Sequence, residues 1–533
     1  MKSSLFACTF ALCLFAGAAS ARTPAPPPSA SASAPAPAPV TRDLAGLAAA
    51  IERGLRPSVV AAGETVPRWT LQQRMAHHKV PGVAIALVQD GQPVYAVGYG
   101  VRAAGSAEAV DADTLFSVGS VSKMVTAATT LRLVAQGRLD LDRDVGDYLK
   151  SWRIPPAPAI ADPRVTLRML LSHTSGLNVH GFEDYPPGEA LPTLLQTLNG
   201  MPPAKNPPIR LQYPPGTRMD YSGGGVMVEQ QIVEDVAGQP LEAVARAQVF
   251  EPAGMRRSSF DNPLPASRGN IAHAHDRNGA RTALPRGWES FPEQGASGLW
   301  TSARDLGGFV AALLRSRRGD GLLPAALFAE MTTAVSPGGR GLGPELAGSG
   351  PARRFFHNGS NDSYRAGIEG YPQTGFGFVI LTNGANGGAL RGEIRNAISD
   401  ALGDGVKPPI RTVAADAAAP DRAGYAGAYR LDPAVPMDVR GALADWFDYD
   451  ALTIEASADA LVLRLPDEAD AKLPALGPTR FLGAGAANGA ELEFHRDAHG
   501  AVQALSVIAG DARAYYRRQP AQPARADGRA GTP

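Results

Sequence analysis

Strand-like segments stand on both sides of a long helical stretch, and this order limits the fold more than any other feature of the chain. Two apolar runs, residues 81–88 and 93–99, flank the turn pair Asp90-Gly91, which is typical of a β-hairpin. Helical segments follow at residues 122–136 and 228–237, and a later strand at residues 376–381 precedes a last helix at residues 390–402. This order predicts an α+β domain, in which an antiparallel sheet is completed by distant strands around an inserted helical region.

Segments rich in Pro and Ala divide the chain of 533 residues further. Such segments cannot bury enough apolar surface to fold, so we interpret them as linkers or tails. Beyond the second linker, short runs such as residues 461–464 alternate apolar and polar residues, which predicts a small all-β domain. The predicted ranges are linker 22–40, main domain 41–407, linker 408–422, all-β domain 423–518 and disordered tail 519–533.

The first 21 residues have the pattern of a secretory signal. Lys2 precedes an apolar run over residues 5–18, and the small residues Ala19-Ser20-Ala21 follow this run. We expect cleavage after Ala21 and a periplasmic or secreted protein with no stable membrane anchor. Both cysteines, Cys8 and Cys13, lie in this segment, so disulfides and thiol chemistry are not expected after cleavage. The 51 basic and 51 acidic residues balance, which argues against a nucleic-acid partner.

Ser120 and Lys123 are three residues apart at the predicted start of a helix. Residues at this spacing share one helix face, so the lysine amine can reach the serine hydroxyl. A neutral amine can take the proton that makes serine a nucleophile, whereas arginine does not deprotonate in proteins. The motif alone is a weak signal, because a serine N-cap followed by a solvated lysine gives the same pattern.

Further segments carry polar groups next to glycines. Tyr221 precedes a glycine-rich turn that begins at Gly223, and His357 lies on a predicted strand edge two residues before Gly359. Residues 171–177 place small hydroxyl residues between apolar ones. Each segment also has a structural explanation, such as a tyrosine that packs at a helix entry or a histidine bonded to backbone. Their combination is what points to function.

Other chemistries find little support in the sequence. The pairs His77-His78 and His273/His275 lack a third ligand at helical or strand spacing, so we expect surface loops there and no metal site. No Gly-x-Ser-x-Gly pattern surrounds Ser120, which argues against an α/β-hydrolase. Residues 341–343 lack the third glycine of a nucleotide-binding loop. No cofactor is predicted.

The motifs Ser-x-x-Lys, Tyr-x-x and His-x-Gly in this order resemble the penicillin-recognising serine hydrolases. These include class C β-lactamases, DD-peptidases, D-aminopeptidases and related esterases. The resemblance covers roughly residues 65–402, and residues 425–429 resemble the start of the lipocalin-like β-domain often fused behind it. It implies an acyl-enzyme mechanism on an amide or ester carbonyl. The partner would be a small molecule or a peptide, with cell-wall peptides as one candidate.

The resemblance also implies a role for each motif residue. Ser120 would be acylated, Lys123 would accept its proton and Tyr221 would pass a proton to the leaving group. The oxyanion hole would consist of the backbone N–H groups of Ser120 and Ser360. Gly359 would let the strand approach the substrate closely, because glycine has no side chain.

Two substrate-binding positions depart from the β-lactamase pattern. Gly223 replaces the Asn of Tyr-x-Asn, and His357 replaces the lysine of Lys-Thr-Gly and is largely neutral at pH 7. Both changes predict weak or incidental β-lactam hydrolysis and leave D-amino-acid peptides and small esters as substrates. The alternative is a non-catalytic ligand sensor or scaffold that keeps the site shape. The sequence leaves substrate identity and oligomeric state open.

Overall fold

The computed structural model describes most of the chain from residue 44 to residue 520. The described ranges are 44–61, 65–403, 406, 411–413, 422–435, 449–457, 460–465, 470–483, 490–509 and 512–520. The predicted signal peptide, the linker 22–40, most of the second linker and nearly all of the predicted tail therefore lie outside the described residues. Within these ranges, no helix combines the length and the apolar character that crossing a bilayer requires.

The described elements alternate as the sequence indicates, with strands at both ends of a helical region. The strands are β1 (Val59–Ala61), β2 (Gly82–Gln89), β3 (Gln92–Gly100), β4 (Phe116–Ser117), β5 (Trp300–Thr301), β6 (Glu345–Ala347), β7 (Arg354–Ser360), β8 (Arg365–Tyr371), β9 (Phe376–Thr382), β10 (Arg411–Val413), β11 (Gly427–Leu431), β12 (Ala451–Ala456), β13 (Leu461–Arg464), β14 (Ala471–Leu473), β15 (Arg480–Leu482), β16 (Glu491–Arg496), β17 (Val502–Ala509) and β18 (Ala512–Arg518). The helices are α1 (Leu44–Arg53), α2 (Leu71–His78), α3 (Ser122–Ala135), α4 (Leu167–Leu171), α5 (Leu194–Asn199), α6 (Gly223–Ala237), α7 (Leu241–Ala245), α8 (Glu251–Ala253), α9 (Gln294–Ser297), α10 (Ala303–Ser316), α11 (Ala325–Met331), α12 (Gly387–Leu402) and α13 (Arg422–Tyr425).

A six-stranded antiparallel sheet forms the frame of the main domain. Its strand order is β3-β2-β9-β8-β7-β6, so the first hairpin pairs with a strand from the far end of the domain. Asp90 and Gly91 have φ values of 51° and 70°, the left-handed conformation that a tight two-residue hairpin turn requires. The structure thus confirms the predicted α+β class, and it confirms that strands from the two ends of the domain pair in one sheet.

Both faces of this sheet are covered, and β2 shows how. Val83, Ile85 and Leu87 pack into a core formed with α1, α2 and α12. Ala84 and Ala86 face the larger core that includes α3, α6 and α10. Alternate side chains of a strand point to opposite faces, so one apolar strand contributes to two cores. The inserted helices build the larger core, against which the site is assembled.

Helix α6 begins five residues before the predicted segment at residue 228. Ser222 caps it, because its Oγ accepts a hydrogen bond of 2.7 Å from the backbone N–H of Gly225. The three glycines at positions 223–225 have low helix propensity, which hid this first turn in the sequence. Because of this earlier start, Tyr221 lies directly before the N-cap residue of the helix.

The C-terminal all-β domain is a nearly closed barrel of up-and-down strands. Its strand order is β14-β13-β12-β11-β18-β17-β16-β15, with antiparallel neighbours throughout. An antiparallel bridge between Ala475 and Phe481 links the two outer ends of this sheet. The aromatic rings of Tyr425, Phe481 and Phe494 pack together in the barrel interior. This confirms the predicted small β-domain.

Two observations differ from the sequence-based picture. Residues 411–413, inside the predicted second linker, form β10 and pair in parallel with β1. His275, expected in a surface loop, is fully buried: its Nδ1 lies 2.7 Å from the Asn383 carbonyl, and its Nε2 accepts from the Ala104 N–H at 2.9 Å. Both ring partners come from distant segments, so no local pattern indicated that the histidine ties these segments together.

Candidate active site

Ser120 lies in a 3₁₀ turn, Gly119–Val121, directly before α3. Gly119 has a φ of 47°, in the left-handed region that favours glycine. The Ser122 side chain fixes this turn, since its Oγ donates to the Gly119 carbonyl at 2.6 Å and accepts from the Leu299 N–H at 3.0 Å. Ser120 itself is partly exposed, as a nucleophile that meets a substrate must be.

Lys123 lies one turn further along and is buried beneath the serine. Its Nζ is 3.1 Å from Ser120 Oγ and donates to the Ala296 carbonyl at 2.8 Å. Burial, with the positive charge of Arg340, lowers the pKa of Lys123 to about 7, against the opposing effect of Glu229. A large share of this amine is therefore neutral near pH 7 and able to accept the serine proton.

Tyr221 stands at the entry of α6, with aromatic and cationic groups on several sides. The Lys123 Nζ lies 5.0 Å and the Arg340 Cζ 5.3 Å from the centre of its ring. The ring centroids of His173 and His180 lie 4.4 and 5.0 Å from that of Tyr221. His173 is buried and accepts a hydrogen bond from the Ser222 N–H, so its ring supports the start of α6.

The backbone of strand β7 contacts the backbone of the turn that carries Ser120. A Cβ atom on Gly359 would overlap the Val118 carbonyl oxygen and would lie 3.1 Å from the Ser120 nitrogen. A Cβ on Gly119 would lie 2.9 Å from the Ser360 nitrogen. These approaches bring the backbone nitrogens of Ser120 and Ser360 to the contact between turn and strand, which is where the proposed oxyanion hole requires them.

His357 is buried on β7, next to the same cluster of groups. Its Nδ1 lies 2.6 Å from the Asn358 carbonyl, and its Nε2 has no hydrogen-bond partner among the residues that the structure describes. Burial, together with the charges of Arg340 and Lys123, holds the pKa of His357 well below its usual range. A neutral ring that donates through Nδ1 keeps an acceptor at Nε2.

Gly223, at the third position of the tyrosine motif, packs against the segment 180–182. It is buried in the first turn of α6, and its N–H donates to the His180 carbonyl at 3.0 Å. A Cβ on Gly223 would lie 2.9 Å from Cε2 of Phe182 and 3.0 Å from the His180 carbonyl oxygen. The segment 180–182 thus covers the place where the Asn side chain of the β-lactamase pattern would begin.

Arg340 is a site residue that the sequence analysis missed. It is buried near Tyr221, and its Nη2 lies 3.6 Å from Glu345 Oε1. Its positive charge contributes to the lowered pKa values of Lys123 and His357. Nothing in the local pattern Gly339-Arg340-Gly341 separates it from the many other arginines of the chain.

Within the described ranges, no group of three or more His, Cys, Asp or Glu side chains is arranged to hold a metal ion. The groups present are a serine with a partly neutral lysine beside it, a tyrosine in a cationic environment, and the backbone nitrogens of Ser120 and Ser360 at the contact between turn and strand. This set of groups can carry out acyl transfer.

Comparison with known proteins identifies the family. The family model described as Beta-lactamase matches residues 68–402. The chain belongs to the Beta-lactamase family. Its motif residues, from Ser120 to Gly359, all lie in the matched range, so the family supports a serine hydrolase.

Similar curated proteins of the Beta-lactamase family have several different activities in their names. Penicillin-binding protein 4 of Amycolatopsis lactamdurans is 33% identical over 202 residues, which cover 38% of this chain and 50% of that protein. Esterase EstB of Burkholderia gladioli is 29% identical over 317 residues, covering 52% of this chain and 75% of the esterase. The chain thus spans half of the first relative and three quarters of the second.

Solved structures agree on the fold. The octameric penicillin-binding protein homologue from Pyrococcus abyssi superimposes with a TM-score of 0.52 at 20% identity, covering 84% of this chain and 98% of the other. At this level of identity, the similarity concerns the fold alone. The coverage extends beyond the family match and includes part of the C-terminal region.

Proposed function

We propose that this Beta-lactamase-family serine hydrolase acts on small esters or D-amino-acid peptides, and that its turnover of β-lactams is weak or incidental. The observation that carries the proposal is the covered position 223. The Phe182 ring and the His180 carbonyl occupy the space that an asparagine side chain would need. The similarity to esterase EstB points in the same direction.

In the proposed reaction, Ser120 Oγ attacks the substrate carbonyl while the neutral Lys123 amine takes its proton. The backbone N–H groups of Ser120 and Ser360 stabilise the oxyanion of the tetrahedral intermediate. The intermediate collapses as Tyr221 delivers a proton to the leaving alcohol or amine and takes up the proton that Lys123 holds, which leaves the Lys123 amine neutral again. Water, activated by the same base groups, then attacks the acyl-enzyme and releases the acid.

A neutral histidine at position 357 also disfavours β-lactams. A lysine there would attract the carboxylate of a β-lactam, whereas His357 is held neutral by burial and by its cationic neighbours. Its Nε2 is an acceptor when Nδ1 donates to the Asn358 carbonyl. An acceptor at this place suits a substrate group that donates a hydrogen bond better than one that carries a negative charge.

Intact-mass spectrometry of wild type and Ser120→Ala tests the proposal with nitrocefin, p-nitrophenyl butyrate and a D-Ala-D-Ala peptide. We expect product from the ester or the peptide with wild type only, and little or none from nitrocefin. Fast nitrocefin hydrolysis would contradict the proposed specificity. Turnover by Ser120→Ala would contradict the mechanism. A stable adduct without product release would support the alternative, a ligand sensor.

A further inference from the structure

Three carboxylates from separate segments lie near the end of β7, close enough for each to affect the pKa of another. The Asp362 N–H donates to Asp184 Oδ2 at 2.9 Å, and Ser363 Oγ donates to Glu289 Oε1 at 3.0 Å. Tyr185 and Ser290 exchange two backbone hydrogen bonds, of 3.1 and 2.8 Å, which hold the segment of Asp184 and the segment of Glu289 together. We call Asp184, Glu289 and Asp362 the acidic cluster.

The acidic cluster is tied to the active site from two directions. Asp362 is the second residue after Ser360, and Asn361 between them donates to Ser117 Oγ at 2.8 Å, just before the nucleophile turn. Asp184 is four residues from His180, whose ring lies beside Tyr221. Four residues span at most about 14 Å. The segment 180–184 therefore connects the surroundings of Tyr221 to the cluster.

Among the described residues, no hydrogen-bond donor reaches one buried oxygen of the cluster. Glu289 is 4% exposed, and its Oε2 has no hydrogen-bond partner among the described residues, although its Oε1 accepts from Ser363. Burial raises the pKa of Glu289 to about 7, and the charge of Asp362 adds to this. Burial and Asp362 also raise the pKa of Asp184 well above its usual range. A buried carboxylate in this state is costly unless a cation or donor reaches it.

Two cationic side chains near Asp184 and Glu289 are directed to other groups. Lys205 Nζ donates to the Asp184 backbone carbonyl at 2.8 Å and pairs with Glu189 at 2.9 Å. Arg286 is close enough to lower the pKa of Glu289, but its guanidinium donates to the Trp288 carbonyl and to Ser290 Oγ. The unmatched acceptor therefore suits a cation that comes from outside the chain.

We propose that the acidic cluster is a subsite for a primary ammonium group of the substrate, with Glu289 and Asp184 as its acceptors. An ammonium carries three donors and forms strong charge-assisted hydrogen bonds with carboxylates. No group of three ligands with metal geometry occurs in the described part of the chain, which favours an organic cation. The proposal rests on the proposed hydrolase function and specifies it: esters and amides that carry an amine are preferred over neutral ones.

Kinetics with matched substrates test this preference. The pairs are p-nitrophenyl 6-aminohexanoate against p-nitrophenyl hexanoate, and D-alanine p-nitroanilide against its N-acetyl form. We expect wild type to favour the amine-bearing member of at least one pair by about tenfold in kcat/KM, equivalent to one charge-assisted contact. Glu289→Gln and Asp184→Asn should remove most of this ratio. Asp320→Asn, which removes an exposed carboxylate outside the cluster, should keep it.

Each outcome decides the matter. Equal kcat/KM within both pairs, or a ratio that both cluster variants keep, would overturn the subsite and leave the proposed hydrolase intact. If Glu289→Gln does not fold, Asp184→Asn gives the same comparison from a partly exposed position. If no substrate is turned over, the proposed function fails, and calorimetric binding of n-hexylammonium against 1-hexanol still tests the subsite. Binding of n-hexylammonium that Asp184→Asn weakens would support it, and absence of binding would refute it.

Discussion

Gly359 packs so closely on Val118 that a Cβ atom at position 359 would overlap the Val118 carbonyl oxygen. The contact joins the strand that carries His357 and Ser360 to the turn that carries the nucleophile. Because backbone meets backbone here, neither side can yield as a flexible side chain could. Strand and turn can lie this close because residue 359 has no side chain. This contact therefore sets the distance between the two proposed oxyanion donors.

Gly359→Ala should separate strand and turn and thereby misplace one oxyanion donor. We expect kcat on p-nitrophenyl butyrate to fall by about 100-fold or more, the usual cost of losing such a donor. Thermal unfolding should still show a folded protein. Gly392→Ala is the matched control, since a Cβ there meets nothing within 4 Å. Wild-type kcat in Gly359→Ala would show that the close approach has no catalytic role.

The activity should rise with pH as Lys123 loses its proton. Burial lowers the pKa of Lys123 to about 7, so the neutral base predominates above this pH and the charged form below it. We expect kcat/KM to rise through a midpoint near 7. Glu229→Gln removes a negative charge that favours the protonated lysine, so its midpoint should lie at lower pH, while Thr130 can still donate to the amide oxygen. A profile that is flat between pH 5 and 9 would exclude Lys123 as the base.

Tyr221→Phe should keep the packing of the ring and lose the proton transfer. The ring remains between His173 and His180, so the fold and its thermal stability should change little. We expect kcat to fall by about 100-fold to 10,000-fold, the usual contribution of a general acid or base. Stopped-flow measurement should find acylation or deacylation slowed. A variant with full kcat would assign Tyr221 a purely structural role.

Gly223→Asn should not create a β-lactamase. The new side chain would begin 2.9 Å from the Phe182 ring, so it must displace the segment 180–182 before it can reach a substrate. We expect a loss of about 1–3 kcal/mol in the free energy of unfolding and no gain in nitrocefin hydrolysis. The double variant with Phe182→Ala should recover part of the stability. Efficient nitrocefin turnover by the single variant would mean that the segment moves aside freely.

The predicted export signal stays a prediction, since residues 1–21 lie outside the described part. We propose that the protein is exported and cleaved after Ala21. N-terminal sequencing of the protein recovered from a bacterial periplasm or medium should then begin at Arg22. Retention of the full N-terminus on a cytoplasmic protein would contradict this proposal.

The sequence predicted the parts of the site that depend on local spacing. Ser120 and Lys123 are one helical turn apart, and Gly359 follows His357 on one strand, so their relations hold wherever the segments lie. Arg340 was not predictable, because its contact with Tyr221 depends on a loop whose path no local pattern fixes. The burial of Gly223 was missed for the same reason: the residues that cover it come from a different loop.

Strand β2 is apolar on both faces, so hydrophobicity cannot by itself fix its register in the sheet. Side-chain volume can. Ala84 and Ala86 lie on the side of α10, and a Cβ on Gly307 of that helix would be only 3.1 Å from the Ala86 methyl group. A slip of one residue would place Ile85 or Leu87 beneath α10, where there is no room for them. The small size of Ala84 and Ala86 thus fixes the register of β2. Because the strands of the sheet are paired in sequence, this register also helps to set the position of β7 beside Ser120.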